Sequence, residues 1–137
     1  MTDQTTLPIV DVVAAIIERD GNILLARRDG SSDQAGLWEF PGGKVEAGET
    51  QPQALVRELQ EEMAIDVQVE AWVASHDTPQ TARVIRLHAW RVLAFQGDIK
   101  LRCHSEYVWV TPQQAFSYAL APADIPLLEA YCATLSG

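Results

Sequence analysis

The sequence predicts a mixed α/β (α+β) fold, a single domain in which helices pack on a mixed β-sheet. Three observations lead there. Strand-length runs rich in Val and Ile alternate with turn residues, two Thr-x-x-Gln signatures open helical segments, and no internal repeat or linker interrupts the 137 residues. A chain of this length buries a real core but is too short for two full-sized domains. The expected organisation is a flexible tail over residues 1–8 followed by one domain over 9–137.

Ile9 to Ile17 is β-branched enough for a strand, and Asp20-Gly21-Asn22 separates it from Ile23-Leu24-Leu25-Ala26, a hairpin pattern. From Asp29 to Gly36 the composition turns to Gly, Ser, Asp and Gln, which marks a loop ending at Leu37-Trp38-Glu39-Phe40, and Pro41-Gly42-Gly43 reads as a second break. Thr50 with Gln53 forms a capping-box pattern, Pro52 fits the first turn, and Ala54, Leu55, Leu59 and Met63 give an apolar stripe, so a helix is expected through residue 63. Val67 to Ser75, Arg83 to Phe95 and Tyr107 to Val110 read as strands. Thr111-Pro112-Gln113-Gln114 repeats the helix-start signature, and Ile125 to Leu135 closes the chain as a helix.

Composition removes several function classes. Nearly half the residues are apolar, with eight Gly and seven Pro, which excludes disordered and fibrous chains. The net charge of -9 repels nucleic acid polymers, so a phosphate ligand must be met by local cations or arrive with metal. Cys103 and Cys132 lack metal-ligand spacing and are expected as buried thiols outside any disulfide. The start carries no basic stretch followed by an apolar one, and the run from Val12 to Ile17 is too short to span a bilayer, so a cytoplasmic protein without membrane contact is expected.

The chemistry concentrates in Gly43-Lys44-Val45-Glu46-Ala47-Gly48-Glu49 and, seven residues on, Arg57-Glu58-Leu59-Gln60-Glu61-Glu62-Met63-Ala64-Ile65. Residues three and four apart share a helix face, so Glu58, Glu61 and Glu62 are expected to crowd one patch, with Arg57 beside them. Like charges at that spacing cost a few tenths of a kcal/mol per pair, and more where water is excluded. A hard cation such as Mg²⁺ relieves that repulsion and binds through a few carboxylates plus substrate phosphates. Gly43 lets backbone approach the same ion and offer a carbonyl. Spacing alone leaves open a solvated acidic face.

This stretch, residues 43–65, resembles the box of the Nudix superfamily: Gly, five residues, Glu, seven residues, then Arg-Glu-apolar-any-Glu-Glu-any-Gly-apolar. A pattern with so many fixed positions is highly specific. The resemblance implies an α/β/α sandwich with a mixed sheet between helices, and Mg²⁺-dependent hydrolysis, with Mn²⁺ as an alternative ion. It implies Glu58, Glu62 and the Gly43 carbonyl as metal ligands, Glu61 as a further ligand or base, and Arg57, with Glu49, as the group that orients the carboxylates. Ala64 stands where the family has Gly. If that position is left-handed, Ala costs about 1–2 kcal/mol there.

Leu37 to Glu46 is similar to the MutT branch, whose members act on nucleoside triphosphates. The segments around residues 12–21, 32–40 and 120–130 are similar to bacterial members acting on CTP, while Asp77 to Ala82 and Ile99 to Tyr107 match less well. The substrate expected is a small-molecule nucleotide, of cytidine type (CTP, dCTP or 5-methyl-dCTP), cleaved to nucleoside monophosphate and pyrophosphate. The alternatives are sanitation of 8-oxo-dGTP and a nucleotide-binding module without catalysis. Arg28 and Lys44 are candidates for the phosphates, and Arg28 serves equally as a surface residue. Gly42, Phe40 and Thr78 are candidate pocket residues, and Phe40 also suits a core. Asp124 has two readings that are compatible with each other: it recognises the base, where a carboxyl can match cytosine or guanine, and it caps the last helix. Glu106 is a candidate base, set against a strand-end carboxylate at the surface. His76, His88 and His104 lack zinc spacing and are expected in surface or packing roles.

Overall fold

The computed structural model describes residues 7–30 and 34–135. Most of the expected tail, residues 1–6, and residues 31–33 of the expected loop lie outside that range. Among the described residues seven strands and three helices occur: β1 (Ile9–Arg19), β2 (Asn22–Arg28), β3 (Trp38–Glu39), β4 (Gly42–Lys44), α1 (Gln51–Met63), β5 (Asp66–Pro79), β6 (Val84–Gln96), β7 (His104–Val110), α2 (Pro112–Ala115) and α3 (Asp124–Leu135), in the anticipated order apart from β4.

The sheet is mixed, with the path β3-β2-β1-β6-β5. β1 runs parallel to β6 from Ile9↔Val84 to Ile17↔Val92. Its opposite edge is divided between β4, at Val12 to Ala14, and β2, at Glu18 and Arg19. β7 covers the other edge of β2.

Because side chains alternate along a strand, the β1 residues Val13, Ala15 and Ile17 face α1, where they meet Leu55, Leu59 and Met63. Ala14 and Ile16 face the opposite layer with Leu127, Leu128 and Tyr131 of α3. Two buried cores thus sandwich one sheet, the expected α/β/α arrangement.

Two differences from the expected elements bear on the site. The Pro41-Gly42-Gly43 break is followed directly by a strand: β4 pairs with β1 although it holds two glycines, residues of low strand propensity. Here Gly is required by space, since a Cβ on Gly42 would lie 1.8 Å from the Val13 carbonyl oxygen. β5 runs past Ser75 to Pro79, which carries Thr78 to the cleft described below.

Helix α1 starts as the capping box dictates. Gln53 N–H donates to Thr50 Oγ1 at 3.2 Å, and Gln53 Oε1 accepts from Thr50 N–H at 2.9 Å. It ends on Ala64 at φ 59°, ψ 33°, the left-handed conformation that the family's glycine foreshadows. Its last carbonyls are taken by the loop before β7: Lys100 N–H donates to Met63 O and Arg102 N–H to Glu62 O.

Candidate active site

A cleft of about 530 Å³ opens between the start of β1, the β2–β4 region, the β5–β6 hairpin and the start of α3. Its walls include Arg28, Glu39, Phe40, Gly42, Gly43, Thr78, Leu87 and Asp124. A larger cavity of about 710 Å³ lies at the far end of β1 by the β1–β2 turn, lined by Glu18, Arg19, Phe95 and Tyr131, and none of the candidate residues reaches it.

The acidic patch adjoins the cleft through Gly43. A Cβ on Gly43 would fall 2.2–2.7 Å from the Glu58 carboxylate, so only glycine lets backbone and acid approach this closely. Glu58 and Glu62 contact each other, and burial pushes the carboxyls of both upward. For Glu62 the neighbouring charges of Glu58 and Glu39 push further the same way. One oxygen of Glu62, Oε1, is buried and has no hydrogen-bond partner among the described residues.

Arg57 organises the outer side of the patch. Its Nε donates to Glu49 Oε2 at 2.7 Å and its Nη2 to Glu49 Oε1 at 3.0 Å. A further Nη2 bond reaches the Lys44 carbonyl, and Nη1 lies 3.4 Å from Glu58 and 3.2 Å from Glu61. The guanidinium hydrogen bond, followed by the Glu46 backbone, holds the Glu49 carboxyl down at about 2. Glu61 turns outward onto Arg57 with over half its side chain exposed, so the expected three-carboxylate patch is a part-buried pair with an outlying third.

No cluster of three His, Cys, Asp or Glu side chains forms a ready-made metal cage among the described residues. An all-oxygen set of two carboxylates and the Gly43 carbonyl nevertheless fits a hard divalent ion that draws further ligands from substrate phosphates. The unpaired Glu62 oxygen and the mutual repulsion of the pair are what such an ion would relieve.

The remaining candidates divide. Arg28, Phe40, Gly42, Thr78 and Asp124 all line the cleft, whereas Lys44 is exposed and is not among the lining residues. Lys44 closes a strand whose backbone serves Arg57. Phe40 is both cleft wall and core, 3% exposed. Asp124 is buried at the start of α3, and its Oδ1 accepts from Phe40 N–H at 3.3 Å. Burial, then the charge of Glu39, raises its carboxyl to about 8. Glu106 pairs with Arg27 at 3.5 Å, with both side chains about half exposed, and it does not line the cleft.

Two expectations are corrected. Cys103 is exposed rather than buried, because it sits in the bend just before β7. His104 is not a bystander: its Nε2 lies 2.9 Å from Glu39 Oε2. Arg28 Nε donates to Glu39 Oε1 at 2.8 Å. Nothing in the sequence linked Glu39 to either partner, which are 65 and 11 residues away.

A family model for the NUDIX domain matches residues 7–131. The chain belongs to the Nudix family. This Nudix domain is 58% identical over 127 residues to the CTP pyrophosphohydrolase of Escherichia coli K12, covering 93% of the chain and 94% of the relative. It is 53% identical over 122 residues to the 8-oxo-dGTP diphosphatase of Haemophilus influenzae, with 88% and 90% covered. Among solved structures it is similar to the E. coli ORF135 protein, at TM-score 0.89 and 56% identity, with 95% and 93% covered. It is also similar to a MutT protein of Methanosarcina mazei Go1, at TM-score 0.84 and 26% identity, with 96% and 98% covered. The Nudix domain is a hydrolase of nucleotide phosphoanhydride bonds, in a family that generally needs divalent metal ions. No described helix is long and apolar enough to cross a membrane.

Proposed function

We propose that this Nudix domain hydrolyses cytidine-type nucleoside triphosphates to the monophosphate and pyrophosphate with Mg²⁺. The observation that carries the base assignment is the state of Asp124. Burial, then the charge of Glu39, raises its carboxyl to about 8, which favours the protonated form at neutral pH although the Phe40 N–H bond to Oδ1 pulls the other way. A neutral carboxyl donates one O–H and still accepts, which matches the ring nitrogen and adjacent amine of cytosine. Guanine presents two donors on its corresponding edge and requires the ionised form. The likeness to a CTP pyrophosphohydrolase supports this reading.

In the proposed reaction Glu58, Glu62 and the Gly43 carbonyl hold the ion, and Arg57, braced by Glu49, keeps the acids in place. When bound, the ion supplies charge neutralisation on the phosphates and favours loss of a proton from water. Arg28 faces the phosphates from the cleft wall, with Lys44 bringing charge from outside. A carboxylate of the patch takes the proton of the water that attacks phosphorus. Magnesium suits a set in which every donor is a hard oxygen, as does manganese.

A second reading, sanitation of 8-oxo-dGTP, is favoured by the likeness to the H. influenzae diphosphatase. One panel separates them: CTP, dCTP, 5-methyl-dCTP and 8-oxo-dGTP with magnesium, scored for pyrophosphate. Highest kcat/KM on the cytidine nucleotides supports the first reading, and highest kcat/KM on 8-oxo-dGTP overturns it.

A further inference from the structure

The His104 side chain is only 3% exposed. Its Nδ1 is buried with no hydrogen-bond partner among the described residues. A packing role does not explain this, because an aliphatic side chain would fill the same space without leaving a polar atom unmatched. The other ring nitrogen explains the histidine. Nε2 faces Glu39 Oε2 at 2.9 Å, and since a carboxylate only accepts, Nε2 carries the proton and donates it.

Glu39 needs such support. It lies on β3, a strand of two residues pinned to β2 by Ala26↔Glu39 and Arg27↔Trp38, too short to fix a long side chain. Its two oxygens are instead held from two other strands, Oε1 by Arg28 of β2 and Oε2 by His104 of β7. Glu39 lines the cleft beside Phe40 and Gly42. Its charge is felt both at Glu62 in the metal patch and at Asp124 in the base pocket.

We propose that His104 is a positioning residue that acts through Glu39, clamping its carboxylate together with Arg28 where the base and phosphate halves of the cleft meet. A fixed Glu39 presents acceptor oxygens to the middle of the bound nucleotide. A swinging one loosens Arg28 and misaligns the scissile phosphate against Glu58 and Glu62. The catalytic consequence rests on the triphosphatase reading above, whereas the clamp itself does not.

The test is a double-mutant cycle with His104→Leu, His104→Gln, Glu39→Gln and the Leu/Gln double variant, with melting temperatures measured alongside. His104→Leu is expected to lower kcat about 10–100-fold with KM little changed. His104→Gln, whose amide can donate in place of Nε2–H, restores most of that loss. On the Glu39→Gln background His104→Leu adds nothing. Wild-type kcat in His104→Leu, or losses that simply multiply, overturns the proposal. Nitrogen NMR of the His104 ring supplies a readout free of turnover. A proton on Nε2 whose signal moves in Glu39→Gln supports the clamp even in a chain that hydrolyses no triphosphate. A signal indifferent to Glu39→Gln refutes it.

Discussion

Replacing Ala64 by Gly should stabilise the fold, and the structure fixes the size of the gain. Ala64 sits at φ 59°, ψ 33° just past α1, in the left-handed region. A Cβ there costs about 1–2 kcal/mol. Glycine removes that cost but gives the unfolded chain more freedom, which returns about 0.4–1 kcal/mol. The half-buried Ala64 methyl adds little packing to lose, and the Ala64 N–H bond to Gln60 O at 3.1 Å is backbone and survives. The net gain is then at most about 1.6 kcal/mol and centred near about 0.8 kcal/mol, or about 3 °C in melting temperature for a chain of this size. Differential scanning calorimetry at matched pH reads it directly. A fall in melting temperature would refute the premise that backbone strain at this cap dominates the local energetics.

Glu62→Gln should lower turnover by about 10²–10⁴-fold with an unchanged circular dichroism spectrum, since it replaces an ionisable oxygen ligand of the proposed ion site by a neutral amide; turnover like wild type would contradict the assignment. Gly42→Ala and Gly43→Ala should part company in thermal melts: the first meets the Val13 backbone and destabilises, whereas the second meets only the movable end of Glu58, keeps the fold and loses activity. Because the Asp124 carboxyl is raised, the folded state keeps a proton that the unfolded chain releases near pH 4. Stability should therefore fall as pH rises from about 4 to about 8, and Asp124→Asn should flatten that slope in pH-dependent denaturation. The same variant should retain CTP turnover above pH 8, where the wild type ionises and weakens; a matching decline in both would argue against base reading by Asp124. Chelation of divalent ions should abolish pyrophosphate release, and added magnesium should restore it; unaffected release would remove the ion from the scheme.

What the sequence disclosed was local. Thr50 with Gln53 located α1, and the spacing of Glu58 and Glu62 located the acid pair, because capping and helical periodicity act within a few residues. The β4 strand escaped because its pairing depends on Val13, some 30 residues earlier, and overrides the weak strand propensity of glycine. The Glu39 clamp escaped for the same reason, its partners lying on other strands. Lys44 was expected at the phosphates from its motif position, yet its side chain stays outside the cleft wall. Asp124 admitted two interpretations in the sequence, and its hydrogen bond to Phe40, 84 residues away, was legible in neither.

That division within the cleft bears on how the enzyme is made. The acid pair, Gly43 and the Arg57–Glu49 brace all come from residues 43–62, whereas the part of the cleft proposed to hold the base joins Val12, Phe40, Thr78 and Asp124. During synthesis every residue of the proposed chemical half has been added by position 62, although α1 still waits for Lys100 and Arg102 to hold its end. Asp124, the residue proposed to read the base, is added only with the last helix, so it is the latest of these groups to join the nascent polypeptide.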